Sequence, residues 1–541
     1  MGLHITRVLP SRVVRISRSL VLLALNLQKK AVMPTAVKAE GARPARVSRP
    51  VQESAPPRDR VHGWAGNHVR RLQRYYWIIP ATITFAVTFI GAARPSLWGD
   101  ELATWSAARR SWSQLWRLFD HMDVVFAPYY IFMHGWMWLF GNSELALRMP
   151  SILAVTVTAA LLSVLGHRLF STRVGLFAGV LFSVLPGVSR TGQDARIAAF
   201  SAMFAVLATL ALLAVLDAPR WWRWLMYSAS VVALGATSLI ALLLLAAHGA
   251  LVAQRWWVTR HRQLAWWLAS AAGALLVLSP LAYLGHQQVG QLTWVPKPGW
   301  AAFPDAFGIA GPVALGCALF AVGLVGIKRA GRVRGLLAAW LLVPPVLLYC
   351  ISLFGPQSYW VARYMYFVLP VLVLLVALVL ASMNVRYPAI FFVVLVLFAA
   401  PMHTAIRSDA GHYSFNGPAV AGYVSSRLQP GDVALFADQS SADPRNLLRY
   451  YGPPASELPD GLAIKSAAEI GRLVPKECVD VTRCLAGVPR AWLFLRYFSG
   501  NDPFYRILPA KKSFLRENFA IAHTQKIGAI TVFLLERRIA S

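Results

Sequence analysis

Charge is what this sequence has least of. Of its 541 residues only 14% are Asp, Glu, Lys or Arg, while 57% are hydrophobic and the mean hydropathy is +0.52; soluble globular chains carry about 25% charged residues. That shortage excludes a soluble globular protein for most of the length. Negative charge is scarcer still, 23 Asp and Glu against 53 Lys and Arg, for a formal net charge of +30. In a soluble protein this excess would point to nucleic acid. Here much of it falls in short segments between apolar runs, the pattern of basic loops retained on the cytoplasmic side of a membrane, and nucleic acid is not an expected partner. Four cysteines are too few for a disulfide scaffold, and no Cys-x-x-Cys pair or Cys/His cluster has the spacing of a structural zinc site. Internal repeats, which a transporter or flippase would usually show, are lacking too.

What is present divides the chain in three. Residues 1–74 set fifteen basic side chains against Glu40, Glu53 and Asp59, the composition of a disordered cytoplasmic tail. Its apolar stretch, 20–27, is far short of the roughly 20 residues a span needs; a signal peptide and a start near Met33 are the alternatives. Uncharged apolar runs follow at 76–93, 149–166, 174–189, 197–216, 224–235, 237–254, 264–285, 306–327, 335–354, 365–383 and 388–406, eleven candidate spans, with a break placed at Gly235. The run 126–141 is short and crowded with Trp and Tyr. If it lies along the outer surface, the loops 167–173, 217–223, 254–262, 328–334 and 384–387, with twelve Arg and Lys, all face the cytoplasm; if it spans, they all flip outward. The first choice agrees with the basic tail and makes 94–148 a long outer loop with juxtamembrane helices.

The same parity leaves 407–541 outside. Short runs there (VALFA at 433–437, AWLFL at 491–495, ITVFLLE at 530–536) alternate with helix-compatible stretches, as in a small α/β domain. The expected fold class is thus an all-α polytopic membrane protein of about 11 transmembrane helices spanning 75–406, with a small extracytoplasmic α/β domain at 407–541. Cys478 and Cys484 sit close enough in sequence to form a disulfide in an oxidising compartment, a free-thiol reading being the alternative. Cys317 and Cys350 read as small core residues within spans.

Between residues 95 and 406 the acids are Asp100, Glu101, Asp120, Asp123, Glu144, Asp194, Asp217 and Asp305, and on this topology all but Asp217 face outward. Asp120, Glu144 and Asp305 read as members of solvated loops. Asp100-Glu101 differs, because it follows the first span at membrane depth between Trp98 and Trp105, where an acid is costly unless it is used. Asp123 precedes the aromatic run, and Asp194 stands in Gln193-Asp194-Ala195-Arg196, held near the bilayer by a short loop. Acids and an arginine converging from separate loops suit chemistry on an anionic lipid head group; a simple Asp194–Arg196 clasp is the plainer reading. The Trp-rich loop is first of all an aromatic belt.

These residues resemble the GT-C membrane glycosyltransferases of the glycosyltransferase 39 type, which include protein O-mannosyltransferases and the aminoarabinose transferase of lipid A. The resemblance covers roughly 76–383. It rests on the acidic pair Asp100-Glu101 after the first span, Asp123 followed by Pro128-Tyr129-Tyr130, SELALRMPSILA with Arg148 and Pro150, Gln193-Asp194-Ala195-Arg196, and Arg363-Tyr364 before an apolar run. Two departures touch substrate identity. Val125-Phe126-Ala127 stands where the family often has His-Pro-Pro, and Ala198 where a Tyr is common.

The resemblance implies an inverting transfer of a sugar, foremost mannose, from a polyprenyl-phosphate donor to an envelope glycan, glycolipid or protein hydroxyl at the outer face of the plasma membrane. Catalysis falls to the acidic pair, Asp100 as general base and Glu101 positioning the loop or joining an acceptor contact. Arg196 and Arg363 would stabilise the leaving phosphate, and Asp123, Tyr129, Tyr130, Gln193, Asp194 and Tyr364 complete the substrate site. No cofactor is implied with certainty; a divalent metal on the acids is left open, with no convincing His to support it. Arg-over-Lys usage with Ala/Val-rich spans fits a high-GC actinobacterium and hence decaprenyl-phosphate mannose. Another lipid-linked sugar such as arabinofuranose, or a non-catalytic envelope-assembly or transport role, are the alternatives. The topology predicts that a reporter fused after Ser541 is active only outside the cytoplasm; one active only inside would reverse the placement of every loop.

Overall fold

A computed structural model describes residues 75–259, 262–437, 442–504, 507 and 509–538; the basic tail lies outside the described residues. Each of the eleven apolar runs falls on a helix. Length and apolarity qualify seven of these helices to cross a membrane, and nine if two bent pairs, Thr172–Val184 with Pro186–Gly192 and Trp300–Ala310 with Val313–Arg329, are each one span. Ile78–Phe89 is shorter, and Val124–Phe140 is likewise a short apolar segment.

We number the helices that matter for the site α1 (Ile78–Phe89), α2 (Gly99–Ala108), α3 (Trp112–His121), α4 (Ala127–Phe140), α5 (Glu144–Leu169), α6 (Thr172–Val184), α7 (Pro186–Gly192) and α8 (Ala198–Asp217). Polar side chains inside this bundle are used locally. Thr84 and Thr88 of α1 donate back to the carbonyls of Pro80 and Thr84, and Thr84 meets the Ser183 hydroxyl of α6 at 2.7 Å. At the bundle centre the helix Leu369–Ala381 is apolar all round, and Val371 through Ala377 are fully buried, as a helix surrounded by other helices should be.

The break expected at Gly235 occurs instead at Ser238, whose backbone is extended (φ −163°, ψ 111°) after the helix Trp221–Thr237. Gly235 is a contact and not a hinge: a Cβ there would lie 2.2 Å from Leu278 of the neighbouring helix. The basic turns gather at one end of the bundle. Arg168 and Arg255 both reach Asp217, at 2.6 and 3.4 Å, while Arg173 donates to the Met383 carbonyl and Arg329 to the Ser382 hydroxyl. Cys350, expected in the core, is exposed on the surface of the helix Arg334–Phe354, whereas Cys317 is half-buried.

At the opposite end sits a four-stranded mixed sheet formed by β1 (Val433–Phe436), β4 (Arg490–Arg496), β5 (Phe519–Ile527) and β6 (Ile530–Arg537), in the order β1-β4-β6-β5. β1 runs parallel to β4, and the other pairs are antiparallel. Two short strands, β2 (Ala463–Lys465) and β3 (Lys476–Glu477), pair beside it. The run AWLFL is buried throughout because both faces of the sheet are covered. Trp492 and Phe494 join a core with Leu97, Leu102, Leu115 and Phe415, side chains of the first long loop and of the chain leaving the last span. Leu493 and Leu495 face the other way, onto Leu515 and Phe519. Cys478 and Cys484 are joined at the edge of this region, their Cα atoms 6.6 Å apart.

One ion pair ties the first loop to the bundle. Between α1 and α2 the chain is not helical, which leaves carbonyls without partners. Arg148, in the second turn of α5, supplies them: its guanidinium donates to the carbonyls of Ala92 and Pro95 (2.7 Å each) and Ser96 (3.2 Å) and to both carboxylate oxygens of Glu101 (2.7 and 2.6 Å). Neither side chain has any exposed surface. Glu101 accepts in turn from the backbone N–H of Ala195 at 2.9 Å and of Trp98 at 3.3 Å. Removing one partner of such a pair leaves an uncompensated buried charge, at about 3–5 kcal/mol. Arg148→Ala is therefore expected to lower the melting temperature in detergent far more than the exposed-pair variant Arg94→Ala, whose Asp409 partner is in solvent; equal melting temperatures would refute the role.

Candidate functional site

Glu101 points inward, so its neighbour Asp100, about 100° further round α2, points into the space between the bundle and the sheet. Its side chain is 30% exposed. Two arginines from distant segments approach the same carboxylate oxygen, Oδ2: Arg363 Nη2 at 3.2 Å and Arg196 Nη2 at 3.6 Å. Neither is aligned for a hydrogen bond, and Oδ2 makes none. The carboxylate thus feels two positive charges while keeping lone pairs unused.

Aromatic rings hold the arginines. Arg196 lies 4.7 Å from the Phe126 ring and reaches back to the Asp100 carbonyl and the Thr104 hydroxyl, both at 3.4 Å. The Arg363 guanidinium is framed by Trp98 and Trp294 (5.8 Å each) and Tyr364 (5.9 Å). Trp98 in turn donates from Nε1 to Asp194 Oδ1 at 2.9 Å. Asp123, at the start of the aromatic run, takes a left-handed backbone (φ 60°) and accepts from the Tyr130 hydroxyl at 3.1 Å. With the Gln291 amide turned to face it, Asp123 also accepts from that nitrogen at 2.9 Å.

Burial governs how these acids titrate. It pushes Asp194 up to about 6, with the charge of Glu101 adding to the effect and Arg190 opposing it. Burial also raises Asp123, against the charge of Arg196. In Glu101 burial alone would raise the value, but the charge and hydrogen bonds of Arg148 outweigh it and hold the carboxyl well below the usual range. His412 beside the pair is pushed down to about 4 by burial, and is neutral at pH 7.

Arg363, Tyr364, Asp123, Tyr130 and Asp194 are thus brought together around Asp100 and Arg196. Three other candidates from the sequence are turned away from this space or buried beside it. Glu101 is spent in its ion pair and cannot take a proton from a substrate while that pair stands. Gln193 turns away, its amide donating to the carbonyls of Thr88 and Ile90 at 2.9 and 3.3 Å, where it closes the end of α1. Tyr129 is buried beside Phe200 and Tyr130. Among the described residues no group of three His, Cys, Asp or Glu side chains is arranged to hold a metal ion.

Sequence reasoning missed an acid from the far end of the chain. Asp443, in the first turn of the helix Ala442–Tyr451, packs so closely on Gly99 that a Cβ there would be 2.5 Å from its Oδ2. It pairs with Arg496 of β4, and burial pushes its carboxyl up to about 6, with Asp100 among the smaller causes. The only local signal is the glycine of WGDE. The sheet region therefore contributes charge beside Asp100.

The raised value of Asp194 has a definite sign. A carboxyl whose folded pKa exceeds its unfolded one binds more protons when folded, so it contributes stability at low pH that is lost as pH rises from about 4 through about 6. Asp194→Asn is expected to gain stability relative to wild type between pH 4.5 and pH 7.5, read as the difference in melting temperature at the two values. A difference that does not change with pH would contradict the assignment.

Comparison with known proteins follows the same lines. Residues 127–284 match the family described as dolichyl-phosphate-mannose-protein mannosyltransferase. Comparison with curated proteins finds no match. Among solved structures, ArnT from Cupriavidus metallidurans bound to undecaprenyl phosphate is similar with a TM-score of 0.54 at 12% identity, over 84% of this chain and 97% of that one. The same protein in the apo state gives 0.53 at 14% identity, over 88% and 98%. The polytopic helical fold expected from the sequence is accordingly one that this chain shares with ArnT.

Proposed function

We propose that this chain is an inverting glycosyltransferase that moves a sugar, foremost mannose, from a polyprenyl-phosphate donor to a hydroxyl of an envelope glycan, glycolipid or protein at the outer face of the plasma membrane. The observation that carries the reading is Asp100: a carboxylate with an unbonded oxygen, set 3.2 and 3.6 Å from two arginines at the end of the bundle away from the basic turns. The family matched by 127–284 favours a lipid-phosphate mannose donor. The undecaprenyl phosphate bound to ArnT favours a polyprenyl carrier, and the basic turns at the other end of the bundle support a cytoplasmic placement of those turns, with Asp100 on the outer side.

In the reaction Asp100 accepts the proton of the acceptor hydroxyl as its oxygen attacks the anomeric carbon. The bond from that carbon to the phosphate oxygen breaks, with inversion. The phosphodiester leaves as a phosphomonoester and gains a negative charge, which Arg196 and Arg363 stabilise as guanidinium–phosphate contacts. Carboxylates are weak bases in the ground state and become useful only as the hydroxyl sheds its proton in the transition state. Asp123, held by Tyr130, and Asp194, held by Trp98, orient the sugar hydroxyls, with Tyr364 lining the phosphate side. Glu101, Gln193 and Tyr129 act by placing these groups. Phe126, which departs from the family pattern, lies against Arg196, so the departure borders the donor site.

The test is transfer of radiolabelled sugar from decaprenyl-phosphate mannose to envelope acceptors, using membranes with wild type or Asp100→Asn. Loss of a general base is expected to cut transfer by at least about 100-fold, with both proteins folded. Transfer by neither protein, followed by transfer from an arabinofuranose donor, would reassign the sugar. Equal transfer by both would remove Asp100 from catalysis.

A further inference from the structure

Both bent helix pairs converge on one cavity. α6 and α7 meet at 67° across Leu185-Pro186, and Trp300–Ala310 meets Val313–Arg329 at 88°. The two breaks touch, since a Cβ on Gly187 would lie 2.0 Å from the Ile309 carbonyl oxygen. Non-helical backbone within a membrane bundle is tolerated where it lines a cavity, and helix breaks there commonly mark a binding site. A cavity of about 360 Å³ lies at this junction, lined by Pro186 and Gly187, by Gly311 and Pro312, and by Met402 and Ile406 of the last membrane helix, with Arg190 and Tyr413.

Arg190 is the cation of that cavity. Its Nη1 donates to the Gly411 carbonyl at 3.1 Å, while Nη2 is buried with no hydrogen-bond partner among the described residues. Among the described residues it makes no ion pair; the nearby charge of Asp194 is engaged by Trp98. Its guanidinium stands 4.6 Å from the Tyr413 ring and 6.0 Å from the Trp98 ring. Arg363 contacts the same indole at 5.8 Å. Trp98 therefore neighbours two cationic sites, the Asp100 site and this one.

We infer that this cavity binds the phosphate head group of a second membrane lipid, distinct from the sugar donor. The phosphate takes the free donors of Arg190, and the tail leaves past Met402 and Ile406 along the last membrane helix, whose Val393, Val394, Leu397 and Phe398 are exposed to the surroundings of the bundle. The single cation suits one phosphate, and the apolar wall suits a lipid over a free anion.

The experiment is native mass spectrometry of the full chain in detergent, titrated with dioleoyl phosphatidic acid, with dioleoylglycerol as the same tails without phosphate. It is run in an Arg196→Gln, Arg363→Gln background so that neither arginine of the Asp100 side contributes a phosphate contact. Phosphatidic acid is expected to bind and dioleoylglycerol not. Arg190→Gln should weaken binding about tenfold or more, and Arg190→Lys should restore part of it. Ile406→Trp, which fills the cavity without touching the charge, should weaken it as well and guards against a folding defect in the Arg190 variants. Unchanged binding in Arg190→Gln, equal binding of dioleoylglycerol, or full displacement by millimolar inorganic phosphate would each overturn the inference. Because the readout is binding, its failure is separable from any loss of transfer in Asp100→Asn.

Discussion

The arrangement depends on a buried arginine, Arg148, that does two jobs with one guanidinium. It neutralises Glu101 and caps the carbonyls of Ala92, Pro95 and Ser96. A buried ion pair by itself is weak evidence of stability, because an apolar pair of equal volume is often as good. That argument fails for this arginine, since no apolar side chain would satisfy three backbone acceptors. The pair fixes where α2 begins and how it is rotated. The direction of Asp100 follows, because consecutive helical residues point about 100° apart.

Everything else at the site is arranged against that fixed carboxylate. Arg196 and Arg363 come from segments far apart in the chain, and aromatic rings set their distance from Asp100. The sheet region closes the other side through Asp443, which only a glycine at position 99 admits. Since Trp492 and Phe494 share a core with Leu97 and Leu102, a shift of the sheet would be felt at α2. The folded region beyond the last span is thus part of the wall of the site.

The helices were legible in the sequence because runs of uncharged apolar residues admit one solution in lipid. Asp100 was legible for a related reason, being an acid at a depth where acids are expensive. Neighbouring residues were harder to sort. Glu101 and Gln193 sit beside Asp100 and Asp194 in sequence, yet the rotation of α2 in the first pair and of the turn after α7 in the second sends one residue of each into the frame and the other toward the site. Composition carries no record of that rotation. Gly235 shows the same limit, since a glycine reads equally as hinge or close contact until Leu278 is seen against it. The strand AWLFL was readable as a buried strand, but the parity that assigns Trp492 to one core and Leu493 to another needs both layers present. Asp443 had no signal in its own segment, because its meaning comes from Gly99, 344 positions earlier.

The geometry around Asp100 also resolves an apparent conflict. If the two arginines beside Asp100 were committed to its carboxylate, they would be lost to the leaving phosphate of the proposed reaction. Yet both stand off at 3.2 and 3.6 Å without hydrogen-bonding its Oδ2, so their donors are not committed to it. A bound phosphate would offer them better-aligned acceptors and draw positive charge away from Asp100. In the proposed reaction the leaving phosphate gains charge in the transition state, and that pull would strengthen as the acceptor proton moves toward the carboxylate. The same two arginines that flank the carboxylate would then turn to the phosphate as it forms, so that one pair of cations serves both the carboxylate and the proposed reaction.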